Sequence, residues 1–114
     1  MKDLIEQNKR YDFEAHGFPC HIMAHLGSHC GYVKVDRLHP LFKETYMESE
    51  KIHLNLTVHG GVTYTEMEDN LWSIGWDGLH GRMDHWDRHD AIEETIKLAE
   101  QIKNKFGNFS KEIK

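Results

Sequence analysis

The 114 residues carry 14 basic and 19 acidic side chains, a formal charge of -5, with 39% apolar and 11% aromatic content. That length suits a single domain with one hydrophobic core, and that apolar content excludes a disordered polymer. The acidic balance speaks against polymeric DNA or RNA as a partner, and no apolar run approaches the roughly 20 residues that cross a bilayer, so no membrane partner is expected.

The opening stretch Met1-Lys2-Asp3-Leu4-Ile5-Glu6 lacks the long apolar segment of a secretory signal. The expected compartment is therefore the cytoplasm, where Cys20 and Cys30 stay reduced. Residues 1–17 place Leu4, Ile5, Tyr11 and Phe13 among charges, which predicts a short helix or an irregular arm ended by Gly17-Phe18-Pro19. From Cys20 the period becomes two: Cys20, Ile22, Ala24 and Leu26 alternate with His21, Met23 and His25. Gly27-Ser28 then predicts a two-residue hairpin turn that sets Cys20 opposite Val35, Ile22 opposite Val33, Ala24 opposite Gly31 and His25 opposite Cys30. This register separates the two cysteines onto opposite faces, a second argument against a disulfide.

Asp36 to Glu50, interrupted by Pro40, reads as a connecting loop. Ile52 to Val58 alternates strictly and predicts a third strand, with His53, Asn55, Thr57 and His59 on its polar side. Gly60-Gly61 marks a turn or bulge before the strand Val62-Thr63-Tyr64-Thr65; Glu66 to Asn70 reads as a turn, and Leu71 to Trp76 as the last strand. A glycine-rich loop follows, Asp77-Gly78-Leu79-His80-Gly81. Asp90 is the expected N-cap of an amphipathic helix over 90–106, paired with Glu93, with Ile92, Ile96, Ala99, Ile102 and Phe106 on its apolar stripe and Gly107 as its stop. Residues 108–114 are expected to fray. The simplest assembly is α+β, an antiparallel sheet over 20–77 with the C-terminal helix packed on one face and histidines on the other.

Ten histidines, more numerous than the arginines, fit either surface drift or metal coordination and acid–base chemistry, and their positions decide between these. His59 precedes two glycines whose amides could meet an anion beside the imidazole. Asp77, His80, Asp84, His85, Asp87, His89 and Asp90 crowd oxygen and imidazole donors into fourteen residues, a density that suits Zn, Mn or Mg. Asp90 is spent on the helix cap and its neighbours Asp87 and His89 belong to the solvated loop, which leaves Asp77 and His80 as the pair to watch. A zinc knuckle from His16, His21, His25, His29, Cys20 and Cys30 is disfavoured because the hairpin spreads them over both faces. Phosphate-loop, paired His-x-Thr/Ser and nucleophile-elbow motifs are absent. Trp72, Trp76 and Trp86 suit core or rim, with base stacking as the alternative.

Gly31-Tyr32-Val33, His39-Pro40-Leu41-Phe42, Val58-His59-Gly60-Gly61-Val62-Thr63-Tyr64 and Gly75-Trp76-Asp77-Gly78-Leu79-His80 resemble, in order, a widespread family of small proteins encoded by tailed bacteriophages. That family carries Gly-Tyr-Val, Gly-His-Pro-Leu-Tyr, Val-His-Gly-Gly-Leu-Thr-Tyr and Gly-Phe-Asp followed by His. The likeness spans Cys30 to Asp84; Leu38 replaces the glycine before His39, and Trp76 replaces the phenylalanine. It implies a phage origin, a setting in the infected bacterial cytoplasm and a polar site built from His39, His59, Asp77 and His80. By analogy with small phage proteins that counter host signalling, the expected partner is a small phosphorylated nucleotide. The leading expectation is a hydrolase in which His59, Asp77 and His80 hold a divalent metal and His39 adds a proton-moving imidazole. Gly60, Gly61, Tyr64, Trp76 and Arg82 would contact the ligand. The alternatives are a metal-free protein that sequesters the nucleotide and an inhibitor that binds a host protein. An exposed sheet edge also suits a homo-oligomer.

Overall fold

The computed structural model describes residues 9–25, 28–58, 61–77 and 87–107. Five strands, β1 (Arg10–Ala15), β2 (Phe18–His25), β3 (Ser28–Val35), β4 (Val62–Glu68) and β5 (Leu71–Asp77), form an antiparallel sheet in the order β1-β2-β3-β5-β4. A short helix α1 (Glu50–Asn55) and the long helix α2 (Arg88–Phe106) complete the described elements. The α+β class and the C-terminal helix packed on the sheet agree with the sequence reading.

Over Arg10–Ala15, β1 stands in place of the expected helix or arm, and residues 1–8 of that expectation lie outside the described residues. Tyr11, Phe13 and Ala15 alternate with Arg10, Asp12 and Glu14, and the hairpin to β2 turns at His16 and Gly17, both at positive φ. The β2–β3 hairpin is two residues out of the expected register, with Cys20 opposite Val33, Ile22 opposite Gly31 and His25 opposite Ser28. A shift of two leaves every side chain on its expected face, because side chains alternate with period two. Cys20 thus points to the helix side and Cys30 to the other, and no disulfide joins them. Burial raises the Cys20 thiol to about 12.

The expected strand 52–58 is instead α1 followed by three non-helical residues. Ser49 caps the helix, its Oγ accepting from Ile52 N at 3.3 Å. The alternation fails at Leu54, which is 78% exposed, while Ile52 and Leu56, four apart, are buried at helical spacing. His53 and Thr57 therefore do not line a sheet; Thr57 bonds the Gln101 side chain of α2 through both backbone groups, at 2.6 and 2.7 Å. The turn expected over 66–70 shrinks to Asp69-Asn70, both at positive φ, so Glu66 and Glu68 belong to β4.

α2 starts earlier than expected. Asp87 is its N-cap, and Asp87 and Asp90 close a reciprocal capping box, each carboxylate accepting the other's backbone N–H at 3.0–3.1 Å. Asp90 is thus the third helical residue and not the cap, and the box stabilises the helix start by about 1 kcal/mol. Ala91, Thr95, Leu98, Ala99 and Ile102 form the buried stripe, with Ile92, Ile96 and Phe106 at its margins. They pack on Ile22, Val33, Ile74 and Trp76, and the 36–58 segment covers the rest of that face with Leu41, Ile52, Leu56 and Val58. The helix approaches β3 closely because Gly31 has no side chain: a Cβ there would lie 2.0 Å from Thr95 Oγ1 and 2.3 Å from Trp76 Nε1.

Candidate functional site

The face turned away from α2 is built by the alternate residues of every strand. Cross-strand pairing sets Asp12, His21, Tyr32, Gly75 and Tyr64 in one row, Lys34, Ser73 and Glu66 in a second, and Arg10, Met23, Cys30 and Asp77 in a third. Arg10 lies on outer strand β1 and Glu68 on outer strand β4, yet their side chains form an ion pair. Four strand spacings in a flat sheet would separate them by about 19 Å, beyond the joint reach of the two side chains. The sheet must therefore curl around this face and make it a trough.

Within the trough, His21, Lys34 and Ser73 are 4%, 6% and 0% exposed. The Tyr32 ring lies over Gly75, stacks on His21 with centroids 4.4 Å apart and meets Tyr64 edge-on at 5.0 Å. Lys34 Nζ stands 3.6 Å from Glu68, whose carboxylate also pairs with Arg10, and Arg10 Nε donates to Asp12 at 2.7 Å. His21 Nδ1 and Ser73 Oγ are buried with no hydrogen-bond partner among the described residues. Burial, reinforced by Arg10 and Lys34, pushes His21 down to about 4. Tyr64, whose hydroxyl donates to Glu66 at 2.9 Å, is pushed up to about 12 by burial and then by that carboxylate.

The depressed His21 value has a measurable consequence. The unfolded chain binds a proton near the ordinary 6.5 and the folded chain only near 4, so stability is complete above 6.5 and falls as the pH drops toward 4. Between pH 7 and pH 5 the expected loss is about 2 kcal/mol. Urea denaturation of the wild type and His21→Phe at both pH values checks it: the variant should lose less, and parallel losses would contradict the assignment.

The residues expected from sequence divide into separate groups. His39 is 4% exposed and both its ring nitrogens are engaged: Nδ1 accepts from Leu41 N at 3.1 Å, and Nε2, therefore the protonated nitrogen, donates to Gly107 O at 2.7 Å. Burial lowers its pKa against the opposing effect of the Gly107 bond. It pins the end of α2 to the 36–49 segment. Asp77, opposite Cys30, and Trp72, opposite Val35, mark the two ends of the sheet, about 16 Å apart along β3, and His39 follows the Val35 end. The helix gives the same separation, since Thr95 bonds Trp76 while Gly107, about 18 Å farther along the axis, meets His39. His39 and Asp77 do not share one site.

Trp76 is 1% exposed, donates to Thr95 Oγ1 at 3.0 Å and belongs to the core under α2, which removes it as a ligand surface. Tyr64 lies in the trough, half-buried. Gly61 and Asp77 come together at one end of the sheet: Val62 pairs with Trp76, so the chain enters β4 at Gly61 beside the point where it leaves β5 at Asp77. Gly61 has φ 82°, and a Cβ there would meet none of the described residues within 4 Å. His59, Gly60, His80 and Arg82 lie outside the described residues, as do Asp84 and His85, and Asp87, His89 and Asp90 stand at the start of α2.

Among the described residues no three His, Cys, Asp or Glu side chains are grouped as metal ligands. Asp77 is a hard-oxygen donor that fits a divalent ion only in combination with His59 and His80, which adjoin Gly61 and Asp77 in the chain. Sequence reasoning passed over Lys34 and Ser73 because each reads as an ordinary polar position of an alternating strand. No helix among the described residues is long and apolar enough to cross a membrane. No protein-family model, curated protein or solved structure matches the chain.

Proposed function

We propose that this chain acts on a small phosphorylated nucleotide whose phosphate lies at the Gly61–Asp77 end of the sheet, and that it hydrolyses the ligand with the help of a divalent metal. The observation that carries this reading is the pairing of Val62 with Trp76, which brings Gly61 and Asp77, one residue from each of the two motifs, to the same end of the sheet. Asp77, His59 and His80 would hold the ion, which would supply charge neutralisation at phosphate and an activated water. The open Gly61 backbone lets phosphate approach, and Tyr64 offers a ring on the same trough face as Asp77. His39 takes no part, since its nitrogens are committed elsewhere.

Inactivation of a host defence signal in an infected bacterium is the biological role that suits this chemistry and the phage resemblance. A homo-oligomer would pair through an outer strand, β1 or β4. The withdrawal of His39 from the acid–base set favours a second reading, sequestration of the same nucleotide without turnover.

The test is to incubate the purified chain with linear and cyclic nucleotides, with and without Mn or Zn, and to analyse the small molecules before and after heat denaturation. Metal-dependent products that disappear in His59→Ala are expected for hydrolysis. Intact nucleotide released only on denaturation would replace hydrolysis by sequestration, and neither products nor release would contradict both.

A further inference from the structure

Resting on the reading that phosphate lies at the Gly61–Asp77 end, we infer that the trough is the seat of the nucleobase, whose hydrogen-bonding edge meets His21 and Ser73 and whose ring packs with Tyr32 and Tyr64. The first support is the pair of orphaned polar atoms. His21 Nδ1 and Ser73 Oγ are buried on adjacent rows of one face with no partner among the described residues, and His21 belongs to the same row as both tyrosines. A buried polar group left unpaired is unfavourable, so two of them facing one trough call for a ligand that completes them.

Charge identifies which part of a nucleotide fits. Arg10 and Lys34 face three carboxylates, Asp12, Glu66 and Glu68, so the trough offers no net positive charge to a phosphate and suits an uncharged, planar group rich in donors and acceptors. Ring surfaces stand beside those polar atoms: Tyr32 is held between His21 and Tyr64. Dimension agrees as well. Ser73 and Asp77 lie on the same face of β5 and four residues apart, about 13 Å, the scale of a nucleotide from base edge to phosphate. The Arg10–Glu68 pair spans the trough as a clasp, and the Arg10 side chain, 37% exposed, can swing outward to admit the base.

Two variants isolate the base contacts without removing core volume. Ser73→Ala deletes a hydroxyl that has no partner among the described residues, and His21→Phe keeps a ring stacked on Tyr32 while deleting both imidazole nitrogens, Nδ1 among them. Calorimetric titration of the full chain with adenosine and guanosine 5′-monophosphates, guanosine and ribose 5-phosphate reads base and phosphate separately. At least one monophosphate should bind more tightly than ribose 5-phosphate, each variant should weaken it about five- to tenfold, and ribose 5-phosphate affinity should stay unchanged. Monophosphates no tighter than ribose 5-phosphate, or variants that bind them like the wild type, overturn the base seat and leave the phosphate end standing. Guanosine binding that both variants weaken, with no binding of ribose 5-phosphate, overturns the phosphate end alone. Silence from every probe overturns both.

Discussion

Gly31→Ala is expected to destabilise the protein by about 3–5 kcal/mol, enough to leave a small domain largely unfolded at moderate temperature. The new methyl carbon would sit 2.0 Å from Thr95 Oγ1 and 2.3 Å from Trp76 Nε1, so α2 must lift from β3 or the Trp76 ring must move. Either movement breaks the bond from Trp76 Nε1 to Thr95 Oγ1 and leaves a buried indole N–H without its acceptor. Thermal denaturation with circular dichroism checks it. Thr95→Ala in the same chain should restore part of the loss, because it removes one of the two obstructing side chains. A Gly31→Ala chain as stable as the wild type would contradict the close packing of α2 on β3.

His39→Ala is expected to cost about 2–4 kcal/mol of stability while the folded fraction keeps its nucleotide binding or turnover. The substitution removes the bond from Nε2 to Gly107 O that ties the 36–49 segment to the end of α2, together with the local bond from Leu41 N to Nδ1, and leaves a cavity between Phe18 and Phe106, the rings that flank the imidazole. Denaturation together with the nucleotide assay separates the two effects. Loss of activity in a chain of undiminished stability would return His39 to the chemistry and contradict its role as a latch.

The contrast between these two positions shows which parts of the molecule are legible in a linear chain. The faces of β2 and β3 are legible even though their register is not, because a two-residue slip moves Cys20 from Val35 to Val33 without turning a single side chain over. β5 and the end of α2 at Gly107 follow from local pattern and cap chemistry. Ile52 to Val58 misleads because its apolar residues satisfy two periods at once; Ser49 as a cap and the exposure of Leu54 decide for the helix, and burial is a tertiary property. β1 hides for a related reason, its short alternation among charges becoming a strand only when β2 offers an edge.

The candidate site divides along the same line. Asp77 and Gly61 are marked by glycine-rich strand ends, which sequence displays, and the pairing of β4 with β5 brings them together. His39 looks like a member of that group because a His-Pro motif says nothing about which helix end will arrive beside it. His21, Lys34 and Ser73 acquire their environment from the curl that joins β1 to β4 through Arg10 and Glu68, residues 58 positions apart. No local pattern encodes such a contact.

The most direct measurement of the central claim is a titration of the nitrogen-15-labelled chain with the linear and cyclic nucleotides, reading which backbone amides shift. Gly61, Tyr64 and Asp77 are expected to respond together, with saturating shifts, while His39 and Leu41 stay still. Shifts confined to the depression lined by Asp36, Arg37, Phe42, Lys43, Met67 and Asn70, or no shifts at Gly61 and Asp77 with any nucleotide, would contradict it.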